Sequence, residues 1–462
     1  MELSDFIQKQ VESQKAALRR LDTRPLEQIL AERRMPRPLW AERGYDETGT
    51  SAEETVVRAA SASKNPFCIY IHIPYCVTKC GYCDCYAFPL FNDERQQELS
   101  GYPDLICREI QRWAEASPEI CQRKLTTVHF GGGTPLTAGT DGLRRIIQTL
   151  RQVFRLDADC ELALESTGSA LNEKVLDELQ EIGFTRLHIG IQSLEDDVRR
   201  AIGRHESGKE VLEKLRAAVR RGWIVSTDII IGLPQYHIEG IYRDIQTMHD
   251  AGAEGFSVYE LVRSPRNRGF FIHHGIEDPD LVQMYTEYQS AFALLEGLGY
   301  KRNIYNHMVR GRDDNRYFSS PQRNEDLLSF GAIADGSFGN CLYCHQPLPQ
   351  YREDVLNGRL GLEGVILRNE REQQSYKLET QLRSGHPDPE IFVQIMGYEP
   401  ALELFTHWAA GGMLSIGQDE CELTANGSWF ISRLITDMRE RILSSLTNVF
   451  FKTAPDKEYP LF

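Results

Sequence analysis

The sequence lacks any apolar run close to the roughly 20 residues that a membrane-spanning helix needs. Its first residues, MELSDFIQKQVESQKAALRR, contain no apolar core of a signal peptide, so we expect a cytoplasmic protein without a membrane span. Basic charge is also scarce, because 52 Lys and Arg residues are outnumbered by 67 Asp and Glu residues. This balance argues against a broad phosphate-binding surface, and we expect no nucleic-acid partner.

The eleven cysteines are unevenly placed, and four of them lie within the ten residues CVTKCGYCDC. These four are Cys76, Cys80, Cys83 and Cys85. The Cys-x3-Cys-x2-Cys spacing of the first three can hold three irons of a four-iron cluster and leave the fourth iron open to another ligand. A structural zinc site is the alternative, but it usually needs two paired knuckles, and the sequence has no clear second one.

Six short β-rich runs alternate with amphipathic helical stretches between residues 66 and 300. The runs are CIYIHI (68–73), TTVHF (126–130), CELALES (160–166), RLHIGI (186–191), VSTDIII (225–231) and GFSVYEL (255–261). This alternation predicts an α/β fold with a parallel sheet, and six units suit an open partial (β/α)6 barrel. Glycine-bearing turns and the cysteine cluster follow the strands, so we expect the active site at their carboxyl ends.

The rest of the chain divides around this barrel. We predict an N-terminal helical extension over residues 1–65 and the barrel over 66–300. Residues 301–375 read as an irregular segment that covers the substrate, and residues 376–462 read as a small, winged-helix-like C-terminal domain. No internal repeat beyond the strand–helix unit and no low-complexity run is present.

The cysteine spacing at the end of the first strand resembles the radical S-adenosylmethionine (SAM) superfamily. The motif Y-I-H-I-P-Y-C-x3-C-x-Y-C-x-C more narrowly resembles the oxygen-independent coproporphyrinogen III oxidase, or HemN-like, branch. Further matches follow in order along the barrel: HFGGGTP (129–135), ALEST (163–167), LHIGIQS (187–193), IGRHES (202–207) and TDIIIGLPQ (227–235). The resemblance implies a [4Fe-4S] cluster that reductively cleaves SAM to a 5′-deoxyadenosyl radical, which abstracts hydrogen from the substrate.

The resemblance also implies roles for individual residues. It makes Cys76, Cys80 and Cys83 the cluster ligands. The residues that match SAM-binding positions are Tyr70, Gly131, Gly132, Gly133, Thr134, Glu165, Gln192, Arg204 and Asp228. Glycines suit such a loop because they let the backbone approach a ligand closely, and Arg204 is suited to pair with the SAM carboxylate.

Cys85 lies two residues after Cys83, which is too close for an ordinary fourth ligand. In the family this position and its neighbour Tyr82 lie near a second SAM molecule, and we therefore expect both to take part in the reaction. A buried structural thiol is the alternative for Cys85.

Other residues of chemical interest have plainer interpretations. The segment CLYCH, with Cys341, Cys344 and His345, matches the c-type haem attachment pattern, but without a signal peptide a loop is the better interpretation. His72 and His129 lie within strands and are interpreted as hydrogen-bonded core groups rather than catalysts. Three residues past the barrel are candidates to face the substrate: Tyr305, His307 and Arg310.

Three functions compete within the HemN-like branch. The first in our ranking is a C-methyltransferase-like enzyme that uses a second SAM to transfer a SAM-derived carbon to an sp² carbon of a flat aromatic or tetrapyrrole substrate, by methylation, cyclopropanation or haem ring opening. The alternatives are oxygen-independent coproporphyrinogen III dehydrogenase and a non-catalytic haem chaperone. The dehydrogenase normally opens with a Y-T-S-Y-P-like segment that residues 1–65 lack, and Cys85 is not expected in the chaperone.

The superfamily implies flavodoxin or ferredoxin as electron donor, and a partner methyltransferase is a further candidate partner.

Overall fold

A computed structural model describes residues 3–22, 24–31, 39–417 and 420–444. One mixed sheet of twelve strands runs through the molecule, in the order β14-β13-β12-β11-β1-β4-β5-β6-β7-β8-β10-β9. The strands within these described residues are β1 Phe67–Ile73, β2 Tyr75–Cys76, β3 Phe88–Pro89, β4 Leu125–Gly132, β5 Glu161–Thr167, β6 Arg186–Gln192, β7 Ile224–Ile231, β8 Gly255–Glu260, β9 Lys301–Ile304, β10 His307–Val309, β11 Asp326–Phe330, β12 Asp335–Phe338, β13 Cys341–His345, β14 Leu362–Leu367, β15 Leu414–Ile416 and β16 Cys421–Leu423.

The six predicted strands are confirmed as β1 and β4 to β8, which pair in parallel as neighbours in this sheet. Their inward positions carry polar side chains and their outward positions pack against helices. The helices that follow these strands are Asp93–Ala116, Gly139–Val153, Glu173–Ile182, Asp196–Ala201, Gly208–Arg220, Ile238–Asp250, Arg268–His273 and Leu281–Gly297. The sheet does not close into a barrel within the described residues, as predicted for an open barrel.

The region 301–375 is not irregular, and that prediction is wrong. It contributes six strands, β9 to β14, together with the helix Leu348–Leu356. Strand β11 adds in parallel to β1, and β12, β13 and β14 continue the sheet in antiparallel order. The other edge is extended by β10, which pairs antiparallel with β8. These strands turn the six-stranded core into a longer curved sheet. The space on the inner side of this sheet, lined by Tyr70, His129, Glu165, His188 and Asp228, is called the chamber below.

The two ends of the chain are mostly helical. The N-terminal helices are Leu3–Leu21, Leu26–Ala31, Leu39–Arg43 and Ala52–Ala62. The C-terminal helices are Glu370–Arg383, Pro389–Met396, Tyr398–Ala410, Ala425–Trp429 and Ile431–Ser444, with the hairpin of β15 and β16 among them. Residues 32–38 of the predicted extension and 445–462 of the predicted C-terminal domain lie outside the described residues, and the domain boundaries stay predictions.

Within the part of the chain that the structure describes, no helix combines the length and apolar character needed to cross a membrane.

Candidate active site

The cysteine loop leaves the carboxyl end of β1 and is fastened at several points. The short parallel pair of β2 and β3 closes its base. Near its tip, the Gly81 N–H donates to the Ile202 carbonyl oxygen over 3.0 Å, and Asn267 Nδ2 donates to the Tyr82 carbonyl oxygen over 2.8 Å. Any side chain at Gly81 would collide with the Phe270 ring, 2.2 Å from the added Cβ. The loop conformation is therefore set by packing from residues about 120 and 190 positions later in the sequence.

The three predicted cluster cysteines lie on this loop beside basic side chains. The Cys83 N–H donates to the Cys80 carbonyl oxygen over 3.1 Å, so these two residues share one turn. A hydrogen bond from Cys85 and the nearby charges of Lys79 and Arg204 lower the pKa of Cys83 to about 6, whereas burial raises the pKa of Cys76 to about 11. Metal binding requires thiolates, and the two cations favour them.

The loop suits a four-iron cluster better than a single ion. In such a cluster each thiolate binds a different iron, so the three sulfurs need not converge on one point. Among the described residues, no three Cys, His, Asp or Glu side chains converge as they would around one metal ion. Cys76, Cys80 and Cys83 are the residues that would hold the cluster.

The glycine-rich loop after β4 lies against the cysteine loop. The Thr134 N–H donates to the Tyr75 carbonyl oxygen over 2.7 Å, and the Thr134 hydroxyl lies 3.5 Å from the Cys76 sulfur. A Cβ on Gly133 would lie 2.5 Å from the same Tyr75 oxygen, and one on Gly132, where φ is +106°, would meet the His72 ring at 2.7 Å. Only glycine permits this approach of the two loops.

Two histidine–carboxylate pairs face the chamber below these loops. His129 Nε2 donates to Glu165 Oε1 over 2.8 Å, and His188 Nε2 donates to Asp228 Oδ1 over 2.6 Å. Burial would raise the pKa of Glu165, but the hydrogen bond from His129 and the nearby imidazoles of His188 and His72 together outweigh burial, so the pKa is lowered. Burial lowers the pKa of His129, so the pair consists of a neutral imidazole and a carboxylate.

Tyr70 forms one wall of the chamber. Its ring stacks on Tyr317, with centroids 5.2 Å apart, and the Tyr317 ring stacks in turn on His129 at 4.4 Å. The Tyr70 hydroxyl is hydrogen-bonded to His72 Nδ1 over 3.1 Å, and His72 Nε2 donates to the Tyr86 carbonyl oxygen over 3.2 Å. Burial lowers the pKa of His72 to about 4, in agreement with its interpretation as a neutral core group.

Gln192 and Arg204, twelve residues apart in the sequence, meet above Gly190. A Cβ on Gly190 would lie 2.8 Å from Gln192 Nε2, 3.5 Å from Arg204 Nη2 and 3.7 Å from Asp228 Oδ2. Gln192 is held there with φ at +63°, and neither its Oε1 nor Arg204 Nε has a hydrogen-bond partner in the described part of the chain, although both atoms are buried. A small polar ligand would satisfy these groups, so the residues present fit the amino-acid part of SAM.

Tyr82 and Cys85 occupy different surroundings. The Tyr82 hydroxyl accepts a hydrogen bond from Arg204 Nη2 over 2.9 Å. Tyr82 therefore lies beside the polar side chains that surround Gly190. Cys85 is exposed, next to Cys83, and its thiol influences the pKa of Tyr70 across the chamber. Their roles in a reaction stay predictions.

Four residues singled out in the sequence lie elsewhere. Cys341, Cys344 and His345 form strand β13 rather than a loop, and His345 Nε2 donates to Glu109 Oε1 over 2.7 Å on the outer face of the sheet. His307 is buried on β10, bonded to Ser257 and Asp313, and is not a residue of the chamber opening. The CLYCH pattern is therefore a buried strand, not a haem attachment loop.

Residues that the sequence reasoning missed include His188, Tyr317 and Asp335. Asp335, on β12, is partly buried and makes no hydrogen bond to another side chain in the described part of the chain. Burial raises its pKa to about 6, and its charge reaches Tyr70 and Tyr317. His188 lies within the LHIGIQS match, but its partner Asp228 is 40 residues further along the chain. No motif marks Tyr317 and Asp335, because they reach the barrel strands only when the segment before β11 and β12 itself fold back onto them.

A comparison with known proteins now defines the class. Residues 70–248 match the family model of the radical SAM superfamily, so the chain contains a radical SAM domain and its cofactors are a [4Fe-4S] cluster and SAM. The chain has HemN-like homologues, as its motifs predicted.

Particular relatives narrow this class. An anaerobilin synthase from Escherichia coli O157:H7 is 26% identical over 398 residues, which cover 84% of this chain and 87% of that protein. An oxygen-independent coproporphyrinogen III oxidase from E. coli K12 is 27% identical over 63% of this chain and 66% of that protein. The haem chaperone HemW from Bacillus subtilis is 27% identical over 58% and 70%.

A solved structure confirms the fold. Coproporphyrinogen III oxidase (HemN) from E. coli, a radical SAM enzyme, superposes with a TM-score of 0.74 over 92% of this chain and 100% of that chain, at 23% identity. The chain therefore contains a radical SAM domain and has the fold of HemN.

Proposed function

We propose that this enzyme acts on a tetrapyrrole and transfers a SAM-derived carbon to it, in a ring-opening reaction of the kind that the name anaerobilin synthase denotes. The named relatives all concern tetrapyrroles: a bilin-forming enzyme, a coproporphyrinogen oxidase and a haem chaperone. When bound, the cluster and SAM supply one electron to the sulfonium and a 5′-deoxyadenosyl radical that abstracts hydrogen.

The observation that carries the proposal is the fourth thiol of the cysteine loop. Cys85 is exposed beside the cluster cysteines, and its electrostatic influence reaches Tyr70 and Glu165. Because Cys76, Cys80 and Cys83 suffice for the cluster, this thiol is free to take part in chemistry on a second SAM. Such a thiol favours a carbon-transferring enzyme over the chaperone.

The other chamber residues have proposed binding roles. Arg204 and Gln192 would bind the SAM carboxylate and amino group, because the buried donor Arg204 Nε and the buried acceptor Gln192 Oε1 have no hydrogen-bond partner among the described residues. Glu165 and Asp228 each keep one oxygen free of their histidine partner for hydroxyl or ammonium groups. Tyr70 would pack against the ligand from the side of β1.

Oxidative decarboxylation of coproporphyrinogen is the second candidate, because the HemN structure superposes over nearly the whole chain. We further propose flavodoxin or ferredoxin as the electron donor. The cytoplasmic location of the protein also stays a prediction.

The test uses anaerobically reconstituted protein, a strong reductant and SAM with a trideuterated methyl group, with haem or coproporphyrinogen as substrate. Mass spectrometry follows 5′-deoxyadenosine and S-adenosylhomocysteine. Haem-dependent deuterium in 5′-deoxyadenosine, together with S-adenosylhomocysteine, is the expected result. Coproporphyrinogen-dependent formation of 5′-deoxyadenosine without deuterium would contradict the proposal and identify a coproporphyrinogen dehydrogenase. Tight haem binding without turnover would also contradict the proposal and identify a haem chaperone.

The variant Cys85→Ala should lower product formation at least 100-fold while the iron content stays at the wild-type level. The matched control is Cys121→Ala, because Cys121 is a half-buried thiol away from the loop, and this variant should keep wild-type turnover. Full product formation by Cys85→Ala would remove Cys85 from the mechanism.

A further inference from the structure

Among the described residues, Glu165 and Asp228 are each held by a hydrogen bond to one carboxylate oxygen only. His129 binds Glu165 Oε1, and His188 binds Asp228 Oδ1. The second oxygens point to glycines: Glu165 Oε2 lies 3.0 Å from the Cβ position of Gly131, and Asp228 Oδ2 lies 3.7 Å from that of Gly190. In both pairs the histidine leaves the oxygen nearest the glycine available for a ligand.

His188 is itself fixed from the opposite end of the barrel. Its Nδ1 is hydrogen-bonded to Ser226 Oγ over 2.9 Å, and Arg186 Nη2 donates to the same oxygen over 3.3 Å. Arg186 Nη1 in turn donates to Asp313 Oδ1 over 2.6 Å, and both of these side chains are buried. The imidazole therefore has one orientation, because both ring nitrogens are engaged.

The charges around His188 favour this arrangement. Burial disfavours the imidazolium, but Asp228 outweighs the effect and the pKa of His188 is raised. Glu165 adds to the effect of Asp228, whereas Arg186 opposes it. The free oxygen of Asp228, Oδ2, consequently keeps a fixed position near Arg204 Nη2 and Gln192 Nε2, the other two polar atoms that surround Gly190.

We propose that His188 is a positioning residue, which orients Asp228 so that Oδ2 accepts a hydrogen bond from a hydroxyl or ammonium group of SAM bound over Gly190. His188 acts through Asp228 and does not itself touch the ligand. The inference rests on the radical SAM assignment and not on the identity of the tetrapyrrole.

Two isosteric variants separate the two hydrogen bonds of the imidazole. In His188→Gln the side-chain amide can replace Nε2 and keep the bond to Asp228. In His188→Asn the amide replaces Nδ1 and keeps only the bond to Ser226. We expect the affinity for SAM to stay within threefold of wild type in His188→Gln and to fall about tenfold in His188→Asn. The measurement is equilibrium dialysis of labelled SAM against cluster-loaded protein without reductant or tetrapyrrole, corrected for iron content.

A double variant tests whether His188 acts through Asp228. If it does, His188→Asn combined with Asp228→Asn should bind SAM no more weakly than Asp228→Asn alone. The control His345→Asn removes a similar buried histidine–carboxylate bond outside the chamber and should leave the affinity unchanged. Thermal unfolding of every variant reports on its folding.

Three results would overturn the inference: wild-type affinity in His188→Asn, equal losses in His188→Gln and His188→Asn, or independent losses in the double variant. If His188→Asn does not fold, wild-type affinity in His188→Gln still supports the inference and a large loss in that variant contradicts it. Failure of the tetrapyrrole proposal would leave SAM binding unaffected, so the two ideas fail separately.

Discussion

The pKa of a single residue, Asp335, is set by its burial beside the chamber. It is an acid on the inner side of β12, partly buried and without a hydrogen bond to another side chain in the described chain. Burial disfavours its charged form and raises its pKa from 3.8 to about 6. A folded-state pKa above the unfolded value means that ionisation of this group destabilises the fold as the pH rises.

The variant Asp335→Asn should therefore be more stable than wild type at alkaline pH. The advantage should reach at most about 3 kcal/mol above pH ~7, decline as the pH falls from about 6 towards 4, and vanish only below pH ~3, where the wild-type acid is protonated in both the folded and the unfolded state. Urea unfolding at several pH values measures the difference. An advantage of equal size at pH 4 and pH 8 would contradict the assigned pKa.

The element that decides the site is the pair of loops after β1 and β4. The strands end side by side because β1 and β4 are parallel neighbours, and the loops then touch through Tyr75, Cys76 and Thr134. Gly133 is the position where the contact is closest. The geometry of the cluster loop thus depends on a glycine almost 50 residues away from Cys83.

The variant Gly133→Ala should push the two loops apart, since the new methyl group would lie 2.5 Å from the Tyr75 carbonyl oxygen. We expect lower iron incorporation and at least tenfold weaker SAM binding. The control Gly101→Ala lies in the helix Asp93–Ala116 with nothing within 4 Å of the added Cβ, and it should stabilise the protein by about 0.5–1 kcal/mol. Normal iron content and SAM affinity in Gly133→Ala would show that the loops have room to adjust.

At the scale of the whole molecule, the chamber exists because the chain returns to its first strand. Strand β11 pairs with β1 from a sequence distance of more than 250 residues. A buried ion pair, Arg123 with Asp326, joins the segment before β4 to the start of β11, and Arg123 also donates to the Asn65 carbonyl oxygen. This pair fastens the later half of the sheet to the earlier half.

The variant Arg123→Met should leave Asp326 buried without its cation and lower the free energy of unfolding by about 3–5 kcal/mol. Its neighbour Lys124 forms an exposed ion pair with Asp159, so Lys124→Met should cost less than about 1 kcal/mol. Denaturant unfolding of both variants gives the comparison. Similar small losses in both would mean that β11 is held by its strand pairing alone.

The sequence by itself determined the local features of this protein. Alternation of β-rich and amphipathic segments gave the six parallel strands, because a strand–helix unit buries its apolar faces within about 30 residues of chain. The cysteine spacing predicted the cluster ligands, and the motif order predicted the radical SAM domain, which the family match confirms. Each of these signals depends on residues close together in the sequence.

Only the tertiary structure decided what surrounds the reaction. Strands β11 to β14 form the second wall of the chamber, yet they are short and carry glycines and polar residues, and they are stable only when paired with β1 and with one another. Tyr317 and Asp335 become chamber residues through that pairing and through the return of the segment before β11, whereas His188 meets its partner Asp228 through the pairing of β6 with β7. Their roles arise from contacts between distant parts of the chain, which no local pattern records.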